Sequence, residues 1–112
     1  MSKNDAQEKL GQLQLIEQNL QHFLMQKQNF QSQLLQVENA IEEVTKSGQK
    51  TAFKIIGPIM VENDVTEINN SLKSKQEVLE LRIKNIEKQE EKLKEKAKGI
   101  QEEVMKALEK SK

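Results

Sequence analysis

The chain has 112 residues, of which 35% are hydrophobic and 3% aromatic, and it contains no Trp, Tyr or Cys. That length bounds it to one domain, and the lack of cysteine excludes disulfides and thiol chemistry while fitting a reducing compartment. Eighteen basic and eighteen acidic residues cancel, which removes the electrostatic footprint of a general nucleic-acid binder or of a binder of anionic membranes.

At the N-terminus, MSKNDAQEKL lacks the apolar core of a signal peptide, and no apolar run approaches the roughly 18 residues of a membrane span. A soluble, cytoplasmic protein is expected. Asp5 followed by Glu8 has the form of an Asp-headed capping box, while Lys46 and Gly48 supply a cationic last turn and a left-handed stop; together they predict a helix over 6–46. Steps of three and four along it give Leu13, Ile16, Leu20, Phe23, Lys27, Phe30, Leu34, Val37, Ile41 and Val44. Lys27 is the one polar residue on that seam. Eleven Gln fall within residues 1–50, so the polar flank of this helix is mostly uncharged.

The next segment, TAFKIIGPIMVEND, breaks the helical period. Ala52 to Ile56 and Ile59 to Val61 are β-prone, and Gly57-Pro58 interrupts them where neither a ladder nor a helix forms easily, so a β-hairpin is predicted over 51–63. Glycine before proline is not the usual two-residue hairpin signal and leaves the turn type open. Strand alternation puts Phe53 and Ile55 on one face and Ala52 and Ile56 on the other, so neither face is properly polar. An isolated two-stranded hairpin is marginal in water and exposes two edges, so this one calls for strands from other subunits. The residues expected to join them are Phe53, Ile55, Ile56, Gly57, Ile59, Met60 and Val61.

Asp64 followed by Glu67 opens a second predicted helix, over 65–110. Its seam runs through Leu72, Gln76, Leu79, Ile83, Ile86, Glu90, Leu93, Ala97, Ile100, Val104 and Ala107, polar only at Gln76 and Glu90. Both seams exceed four heptads, and at about 1.5 Å per residue each helix would be on the order of 60 Å long. Pairs such as Glu80 with Lys84, Glu90 with Lys94 and Glu102 with Lys106 place acid four residues before base, each contributing about 0.2–0.5 kcal/mol. The fold class expected is mainly α: a long antiparallel two-helix coiled coil with a single β-hairpin inserted between the helices.

No catalytic, cofactor-binding or metal-binding residue stands out. His22 falls on an outward position with no Cys and no second His to share a metal. Glu42-Glu43 and Glu90-Glu91 lie on helices with no pocket to desolvate them and are expected to be solvated, so acid–base catalysis has no starting point. Gly11, Gly48, Gly57 and Gly99 occur singly, without a phosphate-cradling loop. Lys27, Gln76 and Glu90 on the seam admit two roles. Their polar heads reach the rim of a narrow interface, or they penalise misaligned helix pairings.

Antiparallel folding brings Leu10, Leu13 and Ile16 near Ile100, Val104, Met105 and Leu108, more apolar residues than one seam holds. Leu10, Met105 and Leu108 are the expected surplus, and methionine adapts to varied apolar partners. Gly11 and Gly99 near this end each cost about 1 kcal/mol of helix stability relative to Ala, so fraying is expected there.

The segment FKIIGPIMVEND between two coiled-coil helices, with Phe53, Lys54, Gly57, Ile59, Met60 and Val61 in order and the later run IEKQEEKLKE, resembles a β-class subunit of the prefoldin family over nearly the whole chain. Phe53 stands where that family often has Tyr, and Pro58 where archaeal members often have Asn and one eukaryotic subunit type has Pro. The single hairpin at this length is similar to the β class, since the α class is longer and carries two. The resemblance implies a non-enzymatic, ATP-independent holdase: four β-type and two α-type chains joined at their hairpins, holding unfolded client proteins at the arm tips and delivering them to a group II chaperonin. Implied client contacts are Leu10, Leu13, Ile16, Ile100, Val104, Met105 and Leu108. No cofactor, nucleic acid or membrane is implied. The seam by itself also fits a structural coiled-coil adaptor with one fixed partner.

Overall fold

The computed structural model describes residues 3–110, so the ends of the expected 1–112 domain lie outside the described residues. Four elements follow one another: helix α1 (Lys3–Ser47), strand β1 (Thr51–Ile56), strand β2 (Ile59–Asp64) and helix α2 (Val65–Lys110). Helix α1 starts three residues before the expected position, so Asp5 lies inside its first turn instead of capping it. A carboxylate there still faces the positive end of the helix dipole. At the other end Gly48 adopts φ +66°, and Ser47 Oγ donates to the Val44 carbonyl at 2.9 Å, satisfying one of the carbonyls the helix leaves unpaired.

The hairpin extends one residue past expectation, because Asp64 both closes β2 and caps α2: its Oδ1 accepts the Thr66 N–H at 3.0 Å. The Val65 N–H donates to the Lys50 carbonyl at 2.9 Å, tying the start of α2 to the foot of the hairpin.

Packing falls into two compact units. One joins α1 up to Lys27 with α2 from Lys84 onward. There Ile16, Ile86, Glu90 and Ile100 are buried, and Leu13, Leu20, Phe23, Lys27, Leu93, Ala97, Val104 and Ala107 are half-buried. The spacing of three and four continues backward through the half-buried Lys9 and Ala6, two positions beyond the expected seam. Lys9 pairs with Glu103 and Lys27 with Glu90, so α1 and α2 run antiparallel here.

The second unit spans residues 28–83 and holds the hairpin. Val37, Leu79 and Ile83 are buried, while Phe30, Leu34, Ile41, Val44, Leu72 and Gln76 are half-buried. The Arg82 guanidinium lies 5.5 Å from the Phe30 ring centroid, a cation–π contact that ties α2 to α1 from the edge of the seam. Among the described residues no side chain is enclosed completely, as expected for two helices that can cover only one stripe of each other.

Candidate functional site

Ile56 pairs with Ile59, so Gly57-Pro58 is a two-residue hairpin loop after all. Gly57 takes φ +57°, whereas the proline ring holds Pro58 near −65°; positive φ at the first central residue alone marks a type II′ turn. Its twist matches that of the flanking strands, which is why an unusual dipeptide closes a regular ladder of six residue pairs from Thr51–Asp64 to Ile56–Ile59.

The register separates the two faces. Ala52, Lys54, Ile56, Ile59, Val61 and Asn63 share one, and of these Ala52, Val61 and Asn63 are half-buried. A cleft lined by Lys54, Asn63, Glu67, Ile68, Ser71 and Leu72 shows that this face looks toward the first turns of α2. The opposite face carries Phe53, Ile55 and Met60, which are 64–73% exposed. Three large apolar side chains on one small sheet face, beside two unpaired strand edges, form a surface suited to further strands.

All seven residues of the expected tip lie in the unit that joins α1 up to Lys27 with α2 from Lys84 onward, but they divide by role. Ile16 and Ile100 are buried in the seam and Leu13 and Val104 half-buried, so their apolar surface is largely spent on holding the helices together. Leu10, Met105 and Leu108 are 50–63% exposed. Exposed apolar residues also continue inward along the outside of α1 at Leu15, Leu24 and Met25, which sequence reasoning passed over because they fall between seam positions. The apolar surface of this unit is therefore not confined to its outermost residues.

Glu90 departs from the expectation of a solvated carboxylate. It is 7% exposed, and Lys27 Nζ donates to its Oε1 at 2.7 Å. Both residues occupy inward seam positions of α1 and α2; Glu90 is enclosed there, while the Lys27 side chain keeps 21% of its surface exposed at the edge of the seam. A signal for the pair existed: Lys27 is eleven residues after Ile16 and Glu90 ten before Ile100, so the antiparallel register that joins those isoleucines joins this pair as well. Truncating one member would strand a buried charge, at a cost of about 3–5 kcal/mol. By contrast, Glu42 is exposed and pairs with Lys46 one turn on, and exposed His22 lies 3.2 Å from Gln26 Nε2. Among the described residues no group of three or more potential ligands could hold a metal ion.

A protein-family model described as prefoldin subunit matches residues 7–111, a span that includes both helices and the hairpin. Prefoldin subunit beta of Thermococcus onnurineus (strain NA1) is 38% identical over 104 residues, covering 92% of this chain and 90% of the relative. The corresponding protein of Pyrococcus furiosus is 34% identical over 92% of this chain and 89% of its own length. The chain belongs to the prefoldin family, as a β-class subunit. The crystal structure of the prefoldin beta subunit from Thermococcus strain KS-1 matches with a TM-score of 0.86 and 34% identity, covering 93% of this chain and 92% of that one. A prefoldin β subunit assembles with other prefoldin subunits. No helix among the described residues is long and apolar enough to cross a membrane.

Proposed function

We propose that this chain is one of four β-type subunits which, with two α-type subunits, form a hexameric, ATP-independent holdase in the cytoplasm. It holds unfolded proteins through the exposed apolar residues of its helix ends and passes them to a group II chaperonin. The carrying observation is that large apolar side chains stand exposed both on the hairpin, at Phe53, Ile55 and Met60 among others, and on the helices of the other compact unit, where Leu10 and Met105 belong to a run that includes Leu15, Leu24 and Met25. Those on the hairpin serve assembly and those on the helices serve clients.

A few partly exposed side chains bind weakly, since burying one completely contributes only about 1.5–3 kcal/mol. Several arms acting on one client turn the later contacts into intramolecular ones, so avidity builds without any tight site. Weak contacts also release, which handing a client onward requires. A fixed-partner adaptor has less support, because the seam it would offer is occupied within the chain by the other helix, down to the Lys27–Glu90 pair.

The test replaces Leu10 and Met105 with Ser in the assembled complex. The expected result is an unchanged oligomer mass with several-fold weaker suppression of aggregation for several unrelated unfolded proteins, without ATP. Protection equal to wild type at equal oligomer concentration would place client contact elsewhere.

A further inference from the structure

The α1 seam from Ala6 to Val44 carries two ionised residues, Lys9 and Lys27, and both are cationic. Each meets a carboxylate of α2: Lys9 pairs with Glu103, and Lys27 with Glu90 at 2.7 Å. Glu90 is the one ionised residue on the α2 seam from Leu72 to Ala107. Seam charge is thus positive on one helix and negative on the other.

We propose that this charge pattern is a pairing-specificity device, which makes α1 and α2 each other's partners and disfavours association of like helices from different copies of the chain. The hazard is real on chemical grounds, because either seam is apolar and long enough to support a coiled coil with its own kind. Parallel in-register pairing of two α1 helices sets Lys27 against Lys27, and of two α2 helices Glu90 against Glu90. Slipping α1 against α2 by one heptad would put Lys27 against Ile83 or Ala97, and Glu90 against Leu20 or Leu34. Each mispairing buries charge without a partner, whereas the native register buries it compensated. The hairpin and its Lys50–Val65 hydrogen bond keep the two helices close, but proximity alone does not reject a third helix once several copies are gathered in one complex. The inference does not depend on client binding.

The experiment compares wild type, the exchange variant K27E/E90K and the apolar variant K27L/E90L in the full chain, each singly spin-labelled at exposed Gln14. Dipolar broadening of the continuous-wave electron paramagnetic resonance spectrum then reports whether Gln14 of one copy lies beside Gln14 of another. Wild type and the exchange variant should lack a separation below about 20 Å, as two adjacent helices with 8–10 Å between axes would give. The apolar variant should show it, even though its melting temperature equals or exceeds that of wild type, because a well-packed apolar pair is no less stable than a buried ion pair. Absence of the short separation in the apolar variant, or its presence in the exchange variant, would overturn the proposal and leave Lys27–Glu90 a structural contact only.

Discussion

Gly57 and Gly11 illustrate how differently one residue type acts along this chain. At Gly57 the type II′ turn holds φ at +57°, so Gly57→Ala puts a Cβ into backbone strain that costs about 1–2 kcal/mol, although space around it is open. At Gly11 and Gly99 the helix needs no special backbone, and an added Cβ would meet nothing within 4 Å. Replacing both with Ala should therefore raise stability by about 1 kcal/mol each, seen as a higher urea midpoint at unchanged slope. A drop in midpoint would mean that flexibility at these positions is not merely tolerated. Residue-scale legibility followed the same division. Seam residues were readable because burial follows the three-four spacing through Ile16, Val37, Leu79 and Ile100. Glu90 was misjudged because a carboxylate was weighed against its own helix, whereas its environment is set by Lys27 on the other one.

Among the elements, the two helices were legible in their periods and nearly to their ends; Asp64 fulfils its capping role, with its Oδ1 3.0 Å from the Thr66 nitrogen, whereas Asp5 falls inside the first turn of α1. The hairpin was legible in existence and position but not in its faces. Alternation along β1 puts apolar residues on both sides, and only the approach of α2, through Ile68 and Leu72, decides which side is covered. That decision separates two substitutions that look alike in sequence. Ile55→Asp lies on the bare face and should abolish assembly with α-type chains while the isolated chain keeps its helical circular dichroism and melting temperature. Val61→Asp removes apolar packing from the half-buried face and should lower the melting temperature of the isolated chain itself, because exposed Lys54 opposite it offsets only part of the cost of drawing a carboxylate out of water. Equal effects of the two in both measurements would contradict the assignment of faces.

For the molecule as a whole, the balanced charge and the scarcity of aromatic residues say what it is not, but partners are written on surfaces whose complements lie in other chains. The seven expected tip residues were divided by the seam spacing itself. Ile16 and Ile100 fall on the seam and are consumed by helix pairing, whereas Leu10, Met105 and Leu108, the residues that spacing leaves over, stay outside. Native mass spectrometry of this chain mixed with an α-type prefoldin chain should give a six-chain complex with four copies of this one; a one-to-one complex would favour a fixed-partner adaptor.

The bare face of the hairpin also has a consequence for temperature. Phe53, Ile55 and Met60 offer dispersion and desolvation with no ion pair among them, and near room temperature that driving force is almost wholly entropic. Contacts through these side chains weaken on cooling. A complex joined there would loosen in the cold and tighten with moderate warming, when more cellular proteins begin to unfold.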